Sequence, residues 1–479
     1  MRQQTVLVAG LGSSGAAAAQ ALRMGGANVI TVDAHQEADL PDDLDWASYD
    51  FSPYQLLVVS PGWSPRHHLL TAAAAAGVEV ISEVELAWRM RVPSATTGKP
   101  APWLAVTGTN GKTTTLGMLE AILAAAGRNV AAVGNVGRPI SAAISDPSIE
   151  VFAVELSSFQ LHYSKSLEPL AAVCLNVADD HLDWHESPAA YRAAKARVYD
   201  RTSGACLYPA GDVVVENMIR QADLPATVRT VGFTANAPAL DQLGLVGNLV
   251  VDRAFTDTGS PLALSPGQTS SSGQTSSPGQ TLADVSVLAH LSPPGQKLLA
   301  HTVSNALAAI GLARVVGTSA DAVATGLANY TPDEHRFSLI ATLDEVRYIN
   351  DSKATNAHAA AAALSAFGPG EVVWLAGGLA KGTHFDDLIR DHRSRLAAVV
   401  VLGVDQAEII GALTRHAPEV PVVSVSPGET EVMTTAVTAA RALARPGQVV
   451  LLAPACASMD QFSSYRNRGD AFVAAVRGL

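Results

Sequence analysis

Gly108-Thr109-Asn110-Gly111-Lys112-Thr113 ends an apolar run, WLAVT, and opens a helical stretch. Successive backbone N–H groups at a helix N-terminus suit a polyphosphate; Lys112 adds a point charge, and Thr113 can ligate Mg²⁺. The long phosphate-loop pattern would place glycine at 106, where this chain has Val106, so the match is the shortened form GxxGKT. A glycine-rich turn with only a structural purpose gives no reason for Lys-Thr at the helix start.

Three more polar segments end apolar runs in the same stretch: GNVG (134–137), ELSSFQ (155–160) and NVADDH (176–181). In open α/β sheets ligands sit beyond the carboxyl ends of the strands, so four such segments would line one crevice. Glu155 and His181 suit Mg²⁺ or Mn²⁺. Each also has a plainer use: Glu155 as the partner of a lysine, His181 as the cap of a turn. Lys195, in YRAAKARVYD, reads as a lysine on a solvated helix face.

Near the C-terminal end, EHRF (334–337), INDSKATN (349–356), GGLAKGTHF (377–385) and PACASMDQFSSYRNRG (454–469) offer Arg336, Lys353, Lys381 and Arg466 as cations. Ser352, Thr355 and Ser458 offer hydroxyls. Cations gathered on loops of an acidic protein suit anionic groups. Arg466 and Arg468 also read as solvated surface charge. Cys456 reads as a small buried thiol. At the other end, Gly10-Leu-Gly12-Ser-Ser-Gly15 follows a strand and Asp33 ends the next, a dinucleotide-type fingerprint that predicts a nucleotide-bearing ligand.

The elements that must position these residues alternate. TVLVAG, NVITVD, LLVVSPG and VEVISEVEL lie in residues 1–98. WLAVTG, NVAAVG, VFAVELSS and AAVCLNV lie in 99–331, and EVVWLAGG, AAVVVLG, PVVSVS and QVVLLAPA in 332–479. Short continuous apolar runs with helical spacers predict parallel sheets covered on both faces, hence three α/β domains in series. The 479 residues are too many for one core, and a chain 48% hydrophobic and 16% charged is globular.

A net charge of -12 leaves no general footprint for nucleic acid. Cys174, Cys206 and Cys456 form neither a metal motif nor a disulfide framework, which suits a reducing cytoplasm. No apolar run reaches the length of a membrane span. Gly10, Gly12 and Gly15 interrupt the first apolar run, against a signal peptide. Residues 257–283, rich in Ser, Gly, Gln, Thr and Pro, read as a flexible surface insertion.

The order GTNGKT, GNVG, ELSSFQL, DDHLDWH, YRAAKARVY, HRF, NDSKATN, GGLAKG and PACASMDQF resembles the Mur ligases of bacterial cell-wall synthesis, over nearly the whole chain outside 257–283. The resemblance is strongest to the branch that adds D-glutamate. It implies an N-terminal Rossmann-like domain for the UDP substrate, a central P-loop ATPase-like domain, and a C-terminal Rossmann-like domain that receives the amino acid. It implies an ATP-dependent, ADP-forming ligase that joins D-glutamate to UDP-N-acetylmuramoyl-L-alanine through an acyl phosphate. It also implies a cytoplasmic monomer with two Mg²⁺ ions, Mn²⁺ being an alternative, and a lysine carbamylated by CO₂.

Residue by residue, the resemblance gives Gly108, Thr109, Asn110, Gly111, Lys112, Thr113 and Thr114 to the ATP phosphates. Lys112 would stabilise the transferring phosphoryl group. Thr113 and Glu155 would take one metal ion, His181 and carbamylated Lys195 the other. Asn305, Arg336 and Asp351 would hold adenosine and phosphates. Ser13, Ser14 and Asp33 would meet the uridine diphosphate end, and Asn135, Ser157 and Gln160 the muramoyl-alanine channel. Lys353, Thr355, Lys381, Ser458 and Tyr465 would receive D-glutamate. The sequence departs from the family pattern at Thr302, where Asn is usual, and at Tyr465, where Phe is frequent. The rival readings are another amide ligase of the superfamily, such as a folylpolyglutamate synthase or a differently specific Mur ligase, a P-loop ATPase without an acceptor, and a nicotinamide-dependent oxidoreductase.

Overall fold

The computed structural model describes residues 3–178, 180–255, 279–292, 298–427 and 431–479. Their strands form three sheets of five, nine and six strands. By packing, the chain forms two units: residues 1–179, 184–287 and 302–330 make one, and residues 180–183, 288–301 and 331–479 the other. The first unit contains the first two sheets.

The first sheet is wholly parallel, in the spatial order Leu40–Pro41, Asn28–Asp33, Thr5–Ala9, Tyr54–Val59, Glu79–Ser82. Val6, Leu7, Val8 and Ala9 are fully buried because both faces are covered. The strand order reverses between Thr5–Ala9 and Tyr54–Val59, which opens a crevice beyond their carboxyl ends. The run VEVISEVEL is a strand only as far as Ser82. The Ser82 hydroxyl then accepts from Glu85 N and starts the helix Glu83–Arg89.

In the second sheet, Trp103–Thr107 lies between Val151–Glu155 and Ala171–Cys174, all parallel. The order again reverses at this central strand, so the GTNGKT loop sits at the switch point with Glu155 on one side and Asn176 on the other. The sheet extends through Ala205–Pro209, Arg229–Phe233, Gln242–Val246 and Leu249–Asp252 to Gln280–Asp284, the last two strands being antiparallel additions. The expected insertion 257–283 is corrected at its end. Leu282 and Ala283 are buried, and the segment pairs with Leu249–Asp252. Residues 257–278 of that expectation lie outside the described residues.

The third sheet runs Ser338–Leu343, Val346–Asn350, Val449–Leu452, Val372–Gly377, Leu396–Leu402, Val422–Ser424, with only the first pair antiparallel. Three neighbouring parallel strands therefore end in the loops that carry Lys353, Ser458 and Lys381. The architecture is α/β with three sheets in series. No helix among the described residues is long and apolar enough to cross a membrane.

Candidate active site

The phosphate loop is held in one conformation by its glycines and its neighbours. Gly108 has φ +152° and Gly111 φ +85°, and Gly111 precedes the helix Lys112–Ala125. A Cβ on Gly111 would lie 2.4 Å from Asn305 Oδ1, so the loop and the buried Asn305 of helix Ala300–Val315 pack without a gap. Gly111→Ala adds a methyl to a left-handed residue and pushes Asn305 away. We expect a loss of about 1–2 kcal/mol of stability and a KM for ATP about tenfold higher. Thermal denaturation and ATP titration check this.

Asn176 and Tyr191, to which the sequence reading gave no part, frame the loop. Asn176 O accepts from Thr109 N, its Oδ1 accepts from Asn110 N at 2.9 Å, and its Nδ2 donates to Asn110 O at 3.1 Å. The Thr109 hydroxyl meets Tyr191 OH at 3.0 Å. Lys112 Nζ donates to Gly108 O at 2.8 Å and Thr109 O at 3.0 Å.

Lys195 corrects the expectation of a solvated lysine. It is 2% exposed, its Nζ lies 4.7 Å from the Tyr191 ring centroid, and it donates to the same Gly108 O at 2.9 Å. Ser187 accepts from Ala190 N, and Pro188 opens the helix Pro188–Ala196, which turns Tyr191 and Lys195, one helical turn apart, toward the loop. Two lysines from distant segments thus converge on one carbonyl oxygen.

Glu155 is 1% exposed. Asn135 Nδ2 donates to its Oε1 at 2.9 Å, and its Oε2 has no hydrogen-bond partner among the described residues. A buried carboxylate oxygen without a donor is costly, and a hard cation would satisfy it. That oxygen makes Glu155 fit a magnesium ligand; Thr113 lies in the first turn of the loop's helix. Ser157 and Gln160 form a capping box on the helix Ser158–His162, leaving Gln160 Nε2 buried and without a hydrogen-bond partner among the described residues. The Ser157 hydroxyl and Gln160 Oε1 are thus occupied by the helix cap.

In the first sheet's crevice, Gly10 has φ +85°, and a Cβ on Gly15 would lie 1.7 Å from Gly10 O. Ser13 and Ser14 open the helix Ser13–Met24. Asp33 accepts from Leu11 N at 2.5 Å, His35 N at 2.7 Å and Gln36 N at 3.0 Å. Burial raises its carboxyl, but these three donors outweigh burial and hold it below the usual carboxylate value. Asp33 therefore orders the glycine loop as well as facing its end.

The second unit carries the remaining residues. His181 (φ +54°) lies on the segment 180–183, with its Nε2 3.7 Å from Asp180 Oδ2. Arg336 lies between two left-handed residues, His335 (φ +64°) and Phe337 (φ +46°), with Asp333 3.8 Å away. Such strain concentrates at functional sites. Lys353 Nζ lies 3.9 Å from the Tyr465 ring centroid. Thr355 N donates to Lys353 O. Lys381 (φ +52°) is exposed on a loop that Leu379 pairs with Ala457, beside the buried Ser458. A cavity of about 540 Å³ opens at this loop and is lined by Lys381, Thr383 and His384.

Asp351 accepts from Phe337 N, yet burial pushes its carboxyl up to about 6, against the pull of Arg336. Between pH 4 and 6 the folded chain then holds a proton that the unfolded chain has released. The associated stability is complete below about 4 and lost as pH rises through about 6. Asp351→Asn should flatten that part of the Tm-against-pH curve.

Arg468 corrects a second expectation. It is fully buried; burial lowers its guanidinium to about 10, and it donates to Ser352 Oγ, Ser352 O and Cys456 O at 2.9–3.0 Å. Arg466 is exposed. Cys456 is buried, its thiol pushed up to about 12.

Among the described residues, Glu334, His335 and Asp470 bring possible metal-binding atoms within 4.8 Å of one another. Asn350 argues against a metal there. Its Oδ1 accepts from Ser352 N, so its Nδ2 faces His335 Nδ1 at 2.9 Å as a donor. The imidazole proton then sits on Nε2, facing Asp470 at 3.3 Å.

Residues 106–313 match the Mur ligase middle domain, and residues 335–456 the Mur ligase, glutamate ligase domain. A UDP-N-acetylmuramoylalanine–D-glutamate ligase of Streptomyces coelicolor is 48% identical, across 99% of this chain and 98% of its own. One of Thermobifida fusca is 44% identical, across 100% and 99%. Among solved structures, a UDP-N-acetylmuramate–alanine ligase of Thermotoga maritima shares the fold at 16% identity and a TM-score of 0.56, covering 99% of this chain and 100% of its own. The chain belongs to the Mur ligase family, in the branch whose members are named UDP-N-acetylmuramoylalanine–D-glutamate ligase.

Proposed function

We propose that this chain joins D-glutamate to UDP-N-acetylmuramoyl-L-alanine at the expense of ATP, in the cytoplasm, as a monomer, with neither nucleic acid nor membrane as partner. The observation that carries the reading is the phosphate loop at a switch point, with Lys112 and the buried Lys195 on one carbonyl and, in the same crevice, a Glu155 oxygen that no donor among the described residues reaches. The names of the full-length relatives supply the two organic substrates. We assign residues 1–98 to the UDP substrate, 99–331 to ATP and 332–479 to the amino acid.

A carboxylate is a poor electrophile. Transfer of the γ-phosphoryl group to the alanyl carboxylate gives an acyl phosphate with a good leaving group. The D-glutamate amine attacks its carbonyl carbon, a tetrahedral intermediate forms, and phosphate departs to leave the amide. Lys112 offsets charge on the transferring group. The N–H groups of the first turn, Gly111 to Thr114, orient the phosphates; Asn305, Arg336 and Asp351 hold the rest of the nucleotide. Asn135, Ser157 and Gln160 orient the muramoyl-alanine end, and Ser13, Ser14 and Asp33 the uridine diphosphate. Lys353 and Lys381 suit the two carboxylates of glutamate, with Thr355, Ser458 and Tyr465 around them.

Thr113, Glu155, His181 and Lys195 are the proposed metal ligands, by their resemblance to the family. Bound Mg²⁺ would offset charge between the two reacting anions. An ammonium at Lys195 would repel it, whereas a carbamate supplies an anionic oxygen and turns a like-charge neighbour of Lys112 into an opposite-charge one.

The test is phosphate release from ATP with UDP-N-acetylmuramoyl-L-alanine, adding D-glutamate, L-glutamate or diaminopimelate in turn, with product mass recorded. Release dependent on D-glutamate, with one glutamyl residue gained, is the expected result. Acceptor-independent release with no new product would favour a P-loop ATPase.

A further inference from the structure

We infer that Asn176 is a positioning residue that presets the phosphate loop for ATP, an inference that rests on the ATP-dependent reading above. A parallel strand can bond to its neighbour only while both remain extended. Trp103–Thr107 and Ala171–Cys174 are paired along their length. Beyond their ends Leu175 N still donates to Thr107 O, and the loop then departs. Asn176 replaces the missing rungs.

Its main-chain oxygen takes Thr109 N, and its side-chain amide takes both the N–H and the C=O of Asn110, as a peptide group would. Ala178 continues the pattern: Thr109 Oγ1 donates to Ala178 O at 3.1 Å and approaches Ala178 N at 3.0 Å. Only a primary amide of this length offers a donor and an acceptor side by side.

Two consequences follow. The N–H groups of Thr109 and Asn110 are committed to Asn176, so the loop's contacts with phosphate fall to the helix N-terminal turn. The Thr109–Asn110 segment cannot rotate without breaking three bonds, which fixes Gly108 O, the atom on which Lys112 and Lys195 meet. The ordering entropy of the loop is thereby met on folding, before the nucleotide arrives.

Asn176→Ala removes both side-chain bonds and leaves the main-chain bond. Two lost hydrogen bonds predict a KM for ATP, and a Kd for ADP by calorimetry, raised about tenfold. The KM values for D-glutamate and the UDP substrate should stay within about twofold. Asn176→Asp keeps the acceptor but turns the donor into an oxygen facing Asn110 O and the phosphates, so ADP should bind more weakly than to the alanine variant. Global destabilisation alone would lower the active fraction and leave the Kd of the folded fraction unchanged.

Unchanged ADP affinity in Asn176→Ala, or equal losses for all three substrates, would overturn the inference. So would an aspartate variant that binds ADP as well as the parent. ADP binding by the unsubstituted protein is measured alongside. If the parent itself binds no adenine nucleotide, the ligase reading fails. If the parent binds and the alanine variant binds equally, only the clamp fails.

Discussion

Lys195→Ala is expected to lower amide formation by about a thousandfold or more, while thermal stability falls far less than the activity. The side chain is buried against Tyr191 and reaches the phosphate loop from a helix whose own fold depends on Ser187 and Pro188, not on Lys195. Losing it costs the hydrogen bond to Gly108 O and some packing, about 1–3 kcal/mol. The chemistry loses more, because in the proposed mechanism the group stands where two reacting anions must be held together. A plain cation and a carbamate at this position make opposite predictions. With a carbamate, depleting CO₂ and bicarbonate lowers parent activity, bicarbonate restores it, and native mass spectrometry finds one bound CO₂ in the parent and none in the variant. A parent indifferent to bicarbonate and lacking that mass would leave Lys195 as an ammonium that touches the loop. An alanine variant retaining a tenth of parent activity would remove it from the machinery altogether.

Lys195 also shows where sequence reading stops. The phosphate loop is legible because its cause is local: glycine spacing, a following helix, and Lys-Thr at the start of that helix. The strand-end positions of Glu155, Asn176 and Lys353 are legible because parallel sheets put functional loops at one edge. Lys195 is buried only because its helix packs against a loop 87 residues away in the chain, which no local pattern encodes. Asn176 lies in the segment NVADDH, yet its part depends on register with Trp103–Thr107. Ser157-x-x-Gln160 did carry a local signal, the capping box, alongside the substrate reading. Eight of the described strands were missed, among them Arg229–Phe233, Gln242–Val246 and Gln280–Asp284. They are short, two contain glycine, and the sheet rather than their own periodicity makes them strands.

Arg468→Ala is expected to destabilise the C-terminal unit by about 3–5 kcal/mol. The guanidinium is fully buried, and among the described residues no carboxylate is hydrogen-bonded to it, although Asp460 acts on it through its charge; one fork satisfies Ser352 Oγ, Ser352 O and Cys456 O. Alanine leaves two buried main-chain oxygens without that donor and a void beside Gly378 and Ser352. Lysine keeps the charge but not the planar fork, so Arg468→Lys should recover less than half of the loss. The spacing was the missed clue. On helix Tyr465–Arg477, Arg468, Phe472 and Ala475 fall on one buried stripe, whereas Arg466 points to solvent.

The functional consequence follows from what the fork joins. Ser352 precedes Lys353, and Cys456 lies two residues before Ser458, so Arg468 sets the spacing of two loops proposed to receive glutamate. Below its lowered Tm, the lysine variant should show a KM for D-glutamate raised about tenfold, with the KM for ATP changed less than twofold. Thermal denaturation and steady-state kinetics with each substrate varied measure both effects. An Arg468→Lys protein with parental Tm and parental glutamate KM would mean that these loops hold their spacing without the fork. A lowered Tm with all KM values unchanged would confine Arg468 to stability.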